Sequence, residues 1–460
     1  MTVNMIKGIL EQQREYFHTQ ETKSISSRKA LLKKLKGEII RREKEVCDAI
    51  YADFKKPEFE SLVTETQFVL AELTELIKNI KRWSKPERIA PSLANFPSTD
   101  KIYKEAYGNV LVISPWNYPF QLAIVPLAAA VAAGNTVVLK PSELTPHTSK
   151  IISEIIFAVF NTHHVAVIEG GVEVSQALLK ERWDYIFFTG SVEVGKIVYK
   201  ASAEHLTPVT LELGGKNPCL IDETANIPLA ARRIAWGKFI NAGQTCIAPD
   251  YILIHPKIKF DFLQALKGEI NKAYGSDPSH SKDFSRIINK KNFDRLCSML
   301  TNQTIVIGGD FNADQLYISP TVIDEPAMDS GLMKDEIFGP LLPVISYEDE
   351  DHIDEIISLY EKPLSLYIFS TQKSFIKKMI DKHSFGGGVI NDNLINFSNK
   401  NLPFGGVGHS GTGAYHGKRS FDTFSHHKPV VKRGNWLDIN LRYAPYEKKM
   451  WFARWVRRFF

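Results

Sequence analysis

Cys246 stands in the segment FINAGQTCIAPDY, residues 239–251, with Asn241, Gly243, Gln244 and Thr245 just before it. A free thiol has a pKa of about 8.5, so only a few per cent is thiolate at neutral pH, and nucleophilic use requires local stabilisation of the anion. Burial as a small apolar residue is the commoner fate of cysteine, and it suits Cys47, Cys219 and Cys297. The polar neighbours of Cys246 make poor company for an apolar core, so this cysteine is expected to be an exposed nucleophile in a polar loop.

Three further segments carry groups that such a nucleophile would need. In LELGGK, residues 211–216, Glu212 ends a strand beside glycines that let a ligand approach, and it is a candidate base. A lone strand glutamate is more often simply solvated, so this signal is weak by itself. In SPWNYPF, residues 114–120, the amide of Asn117 follows a strand; it can donate to a developing oxyanion or cap the next helix. FFTGSVEVGKIV, residues 187–198, reads as strand, tight turn and helix, a geometry that aims backbone N–H groups and the positive helix end at a pyrophosphate. Its Gly190 and Gly195 do not match GxGxxG, and a plain strand–helix turn is an equal reading. LKPSE, residues 139–143, adds Lys140 and Glu143 at the end of another strand, where ribose hydroxyls can be held.

Elements of a large α/β protein must position these groups. At 460 residues the chain exceeds one ordinary core, and 44% hydrophobic with 24% charged residues is a globular balance. Residues 1–90 read as helical, and prolines break the pattern over 84–100. Continuous apolar runs then alternate with helical sequence: NVLVISP, NTVVLKP, HVAVIEGG, YIFFTGS and PVTLELGG up to residue 215. Runs of this kind predict a parallel sheet covered on both faces. A second series, YILIHP, TIVIGG, LLPVISY, LSLYIFS and GGGVIND, predicts a second α/β domain. DKIYKEAYG (100–108) and FDTFSHHKPVVKRG (421–434) alternate as antiparallel strands outside either sheet would.

Composition excludes several classes. A formal charge of +5, with basic residues spread except near the C-terminus, argues against nucleic acid. Four scattered cysteines form neither a disulfide framework nor a CxxC metal site, which suits a reducing, intracellular setting. The pairs His163–His164 and His426–His427 read as solvated loops, and no metal is expected. LAIVPLAAAVAAG, residues 122–134, contains Pro126 and is shorter than the roughly 20 residues that span a bilayer. The expected location is cytoplasmic.

Taken together, PWNYP, LKPSE, FFTGSVEVG, LELGGK, NAGQTC, EIFGP and LPFGGVGHSG resemble the aldehyde dehydrogenase superfamily, in the family's order and up to about residue 430. NAGQTCIAPDY and GAYHGKRSFDTFSH are most similar to the class 3 branch, which includes dimeric and fatty aldehyde dehydrogenases and bacterial enzymes for long or isoprenoid aldehydes. The resemblance implies an α/β fold with a Rossmann-type NAD(P)-binding domain (1–99 and 109–213), a catalytic domain (214–405) and a small β oligomerisation arm (100–108 and 406–434). It implies Cys246 as nucleophile, Glu212 as general base and Asn117 as oxyanion donor. It places Lys140 and Glu143 on the adenosine ribose, Ser191 and its turn (Gly190, Gly195) on the pyrophosphate, and Glu336 and Phe338 of DEIFGP at the nicotinamide end. The glycine spacing is then the family's own variant.

The implied reaction is NAD(P)-dependent oxidation of medium- or long-chain, aromatic or isoprenoid aldehydes to acids through a cysteine thiohemiacetal and thioester. A Glu143 fixed on the ribose leans toward NAD, with NADP also accommodated. Two alternatives are a coenzyme A-acylating enzyme, against which Glu212 argues, and a non-catalytic binding relative, against which the intact trio argues. A homodimer is the expected assembly. The tail 435–460 departs from the soluble pattern. In YEKKMWFARWVRRFF, Trp451, Phe452, Trp455, Val456, Phe459 and Phe460 share one helical face opposite Lys448, Arg454, Arg457 and Arg458, which suits peripheral contact with an anionic membrane or packing on a dimer partner.

Overall fold

The computed structural model describes residues 3–92, 95–438 and 440–457. The chain forms two compact units, Met1–Trp83 with Ala106–Ser425, and Ser84–Glu105 with His426–Phe460.

The larger unit holds two large sheets and a two-stranded one, Phe311–Asn312 with Tyr317–Ile318. In the six-stranded sheet the order is Gly411–Thr412, Val209–Glu212, Tyr185–Thr189, Asn109–Ile113, Thr136–Lys140 and Val165–Val167. All its pairings are parallel except the short return strand Gly411–Thr412. Period two decides which way each side chain goes: Val110, Val112, Val137 and Leu139 enter one core, and Leu111, Ile113 and Val138 the other. Both faces are thus covered, which is why these strands are apolar throughout. Helix Gln121–Ala133, buried along its whole length, packs on the first face with helix Gln67–Trp83, which offers Leu73, Leu76, Ile80 and Trp83 at helical spacing. Each such side chain contributes about 1.5–3 kcal/mol when fully buried. The N-terminal segment forms the helix Val3–His18, and its Gln13 reaches the Val137 carbonyl at 2.9 Å.

The seven-stranded sheet runs Ile305–Ile307, Thr321–Asp324, Leu341–Ser346, Tyr251–Ile254, Pro218–Ile221, Ser365–Phe369 and Gly387–Ile390. Only its first pairing is antiparallel. Every apolar run read from the sequence is a strand. Pro218–Ile221 and Thr321–Asp324, four residues each, were not anticipated because so short a run carries no period of its own.

The smaller unit contains a three-stranded sheet ordered Glu87–Ile89, Ser98–Ala106, Ser425–Arg433. Three boundaries differ from the expectation. Residues 84–99, expected with the cofactor domain, group with this unit, because Glu87–Ile89 pairs with Ser98–Ala106. Residues 406–425, expected in the arm, belong to the larger unit, because Gly411 and Thr412 pair with Glu212 and Leu211. Residues 421–423 close the helix Gly417–Thr423 instead of opening a strand, since Phe421 and Phe424 are buried in the first core. Among the described residues no helix is long and apolar enough to cross a membrane, and no group of three His, Cys, Asp or Glu side chains is arranged to hold a metal.

Candidate active site

Helix Ile227–Phe239 ends at a turn in which Asn241, Ala242 and Gly243 all take left-handed backbone angles, φ 54°, 52° and 71°. Non-glycine residues adopt this region at a cost of order 1–3 kcal/mol and only where their surroundings impose it. At Gly243 a Cβ would lie 2.3 Å from the Gly339 carbonyl oxygen. Hydrogen bonds impose the rest. Asn241 Nδ2 donates to the carbonyls of Asn117 (2.9 Å) and Gln244 (3.1 Å), and the Asn241 N–H donates to Glu60 at 3.0 Å. Gln244 Nε2 donates to Arg286 O at 3.0 Å, and its Oε1 accepts the Ile288 N–H at 3.0 Å. Asn217 Nδ2 holds the carbonyls of Cys246 (2.8 Å) and Ala248 (3.0 Å).

This corrects the expectation of an exposed polar loop. Asn241, Gln244 and Thr245 are buried, and their polarity serves the loop's internal bonds. Only Cys246 is partly open. Its surroundings push the thiol up to about 12, chiefly by burial, with Glu336 and Glu212 adding to the rise and the N–H groups of Cys246 and Ile247 opposing it. The partial exposure and the strong desolvation fit together if the residue opens onto enclosed cavities, and it does.

Two cavities meet at Cys246. One, of about 240 Å³, is walled largely by apolar side chains including Leu122, Trp236, Ile247, Leu394, Phe397 and Phe404. The other, of about 260 Å³, is lined by Asn117, Gly190, Ser191, Glu336, Phe338 and Arg295 among others. Thr189, Glu212, Leu213 and Cys246 belong to both walls. Glu212 closes its strand between Thr189 and Gly411. Both its carboxylate oxygens are buried with no hydrogen-bond partner among the described residues. Burial therefore raises its pKa well above the ordinary carboxylate value. Asn117 donates through Nδ2 to Gln244 O at 3.1 Å, leaving the second amide hydrogen for the cavity. It caps no helix: the N–H groups of Phe120 and Gln121, at the start of the helix that follows, go to Glu65 at 3.0 and 2.9 Å.

The sequence of residues 1–430 matches the model of the aldehyde dehydrogenase family. The chain belongs to that family. Over its full length it is 45% identical to 4,4'-diaponeurosporen-aldehyde dehydrogenase of Staphylococcus aureus, all of whose length is covered. It is 42% identical to the dimeric NADP-preferring aldehyde dehydrogenase of Rattus norvegicus, with 97% of this chain and 99% of that one covered. Among solved structures, a substrate-bound state of S. aureus AldH superposes with a TM-score of 0.96 at 45% identity, covering 98% of this chain and 99% of that one. GapN of Methanocaldococcus jannaschii, at 24% identity, a TM-score of 0.85 and 94% and 95% coverage, shares the fold. This aldehyde dehydrogenase thus oxidises aldehydes with NAD or NADP.

The second cavity fits the cofactor's nicotinamide half. Ser191 occupies the N-cap of helix Val192–Ala203, and its side chain makes no bond to that helix, which leaves the helix's first N–H groups to an anion. Thr189 Oγ1 is buried and unpartnered in the same wall. Glu336 approaches so closely that a Cβ on Gly214 would lie 2.2 Å from its Oε2. Burial, with Asp250 adding, pushes the Glu336 carboxyl up to about 8. Phe338 meets Trp116 edge to face at 5.3 Å.

Of the residues chosen from sequence, Cys246, Glu212, Asn117, Gly190, Ser191, Glu336 and Phe338 line this cavity. Lys140 and Glu143 pair with each other at the end of Thr136–Lys140 and do not line it. Gly195 packs the helix: a Cβ there would sit 2.6 Å from Leu213. Sequence reasoning missed Arg295, whose guanidinium donates to Ile337 O at 2.7 Å and Glu336 O at 3.4 Å. It also missed the buried Lys216–Asp250 pair (2.6 Å), whose Asp250 accepts the Ile337 N–H at 2.9 Å. Together these hold the Glu336 turn. Within KKNFDRLC an arginine reads as ordinary helix surface, so no local signal marked it.

Proposed function

We propose that this enzyme oxidises apolar, medium- to long-chain or isoprenoid aldehydes to carboxylic acids, with Cys246, Glu212 and Asn117 as its catalytic residues. The observation that carries this reading is the unpartnered Glu212 carboxylate in the wall shared by the apolar cavity and the cofactor-side cavity, with Cys246 beside it. The name of the S. aureus relative, a long polyene aldehyde dehydrogenase, supports the substrate class.

Cys246 Sγ, as thiolate, adds to the aldehyde carbon, and the oxygen becomes an alkoxide. Asn117 Nδ2–H and the Cys246 N–H donate to that alkoxide, each such donor lowering the barrier by about 3 kcal/mol. NAD or NADP, held by Ser191, Glu336 and Phe338, would supply the hydride acceptor for that carbon. Cys246 then carries a thioester. Glu212 takes a proton from water, the hydroxide adds to the acyl carbon, and collapse releases the acid and the Cys246 thiolate. A carboxyl desolvated as Glu212 is can serve as a base near neutral pH, where an ordinary glutamate is too weak.

Cofactor contacts are assigned to Ser191 with Gly190 at the pyrophosphate turn, whose helix packs on Leu213 through Gly195, to Glu336 and Phe338 at the nicotinamide end, and to Lys140 and Glu143 at the adenosine ribose. The six-stranded sheet and its helices form the cofactor domain, and the seven-stranded sheet the catalytic one. The enzyme is a homodimer through the three-stranded sheet, whose outer strand Ser425–Arg433 is exposed over most of its length. Its C-terminal tail contacts anionic membrane. In helix Met450–Val456, Trp451 and Trp455 are exposed, and Lys448, Lys449, Arg454 and Arg457 supply positive charge. Phe459 and Phe460 lie outside the described residues.

The test is NADH formation by purified enzyme against aldehydes from short aliphatic through benzaldehyde to long-chain and polyene. Rising kcat/KM with chain length is expected, with turnover abolished in Cys246→Ser. In Glu212→Gln a stoichiometric burst of NADH should survive while steady turnover falls about 10²–10⁴-fold. Turnover by Cys246→Ser would overturn the mechanism. Coenzyme A-dependent acyl release with Glu212→Gln unimpaired would replace hydrolysis by acyl transfer.

A further inference from the structure

Residues 56–66 lie outside the motifs that carry the reaction, yet they contain a wholly buried ion pair, Lys56 Nζ to Glu65 Oε1 at 2.9 Å. Such a pair gains little over apolar side chains of the same size, so what it fixes is the question to ask. The other carboxylate oxygen, Glu65 Oε2, accepts the N–H groups of Phe120 (3.0 Å) and Gln121 (2.9 Å). These are orphan donors at the start of helix Gln121–Ala133, and no side-chain bond from the N-cap residue Phe120 relieves them. Asn117 and Tyr118 precede them in the chain, separated from Phe120 by Pro119 alone.

The cation of the pair reaches the same place. Lys56 Nζ lies 3.9 Å from the centroid of the Tyr118 ring. The Tyr118 hydroxyl is 2.7 Å from Thr245 Oγ1, and Thr245 adjoins Cys246. One turn earlier, Glu60 accepts the Asn241 N–H, and Asn241 Nδ2 donates to Asn117 O. Glu65 itself sits in a π-helical turn, Leu62–Thr66, a widened turn of the kind that clusters at functional sites. The turn gives Val63 and Thr64 to the wall of the apolar cavity and Glu65 to the Asn117 helix.

We propose that Glu65, neutralised by Lys56, is a positioning residue for the oxyanion site, fixing the start of helix Gln121–Ala133 and hence the Asn117 amide and the Tyr118–Thr245 pair beside Cys246. The inference rests on Asn117 being the oxyanion donor. Glu65 touches no reacting atom and acts by holding the donor where the alkoxide forms, so its loss raises the barrier to acylation and leaves aldehyde binding in the apolar cavity intact.

The test is a mutant cycle read as the burst rate of NADH formation with decanal and NAD. Lys56→Met with Glu65→Leu removes the pair without stranding a charge. It should slow acylation about ten- to hundredfold while the KM for decanal changes less than about threefold. Lys56→Met with Glu65→Gln keeps an acceptor for the two N–H groups and should recover all but about threefold of the rate. In an Asn117→Ala background neither pair should cost more than about a further threefold, because the donor they position is gone. Multiplicative losses in that background, or a change in KM alone, overturn the proposal. An Asn117→Ala enzyme with unchanged acylation would instead remove the oxyanion reading on which it rests. If the leucine variant does not fold, Lys56→Met with Glu65→Met, which likewise removes the acceptor without stranding a charge, carries the same cycle.

Discussion

At the scale of single residues, the site is defined by desolvation. Glu212, Glu336 and Cys246 are all raised chiefly by burial, so the resting site holds little net negative charge where the proposed nucleophile, base and cofactor contact converge. The cost of this arrangement can be measured at Glu336, held at about 8 when folded against about 4.3 unfolded. Between those values the folded state binds the proton more tightly, so stability is greatest below the lower one and declines as pH rises toward the upper one. Glu336→Gln lacks that decline. Thermal unfolding of wild type and Glu336→Gln, compared from pH 5 to 9, should therefore show the wild type losing on the order of 4 °C more than the variant as pH rises. Parallel curves would show that Glu336 titrates normally.

At the scale of elements, the turn Ile240–Gly243 and the strand ends around it convert chain order into a site. Polar character marked this turn in the sequence, but the inference from polarity to exposure failed. Asn241, Gln244 and Asn217 donate their side-chain amide hydrogens to carbonyls of the turn and its neighbours, a buried network that composition cannot distinguish from a solvated loop. Gly243→Ala tests how tightly the turn is set. A Cβ 2.3 Å from the Gly339 carbonyl, at φ 71°, should cost about 1–3 kcal/mol of stability and move Cys246 enough to lower turnover at least tenfold. Thermal unfolding and burst kinetics would show it, and wild-type rates in a stable variant would mean that the turn is pliable. The same scale explains Arg295 and the Lys216–Asp250 pair. They act by gripping the backbone of the Glu336 turn from far away in the chain, and contacts made to backbone leave no pattern in the sequence of the segment that receives them.

At the scale of the whole molecule, the proposed dimer and the proposed membrane contact are both tested on the smaller unit. Removing residues 435–460 should abolish co-sedimentation with anionic vesicles and leave dimerisation and aldehyde turnover in place. Val430→Pro with Val431→Pro, on the exposed strand Ser425–Arg433, should shift sedimentation equilibrium toward monomer by removing two N–H donors from that strand. A truncated enzyme that still binds vesicles, or a proline variant that stays dimeric, would move these functions elsewhere. By itself the sequence determined the class of fold, because strands buried on both faces are apolar throughout and the helices between them keep their own period. It also singled out Cys246, Glu212 and Asn117, the trio proposed as catalytic, because they lie in motifs that resemble the family's. Tertiary structure alone decided which groups share a wall: that Glu212 lies buried between two cavities with no partner among the described residues, that Gly195 packs a helix while Ser191 lines the second cavity, and that Gly411 and Thr412 close the edge of the six-stranded sheet. Those outcomes depend on desolvation and on contacts between segments far apart in the chain, and neither quantity is written in any local stretch of residues.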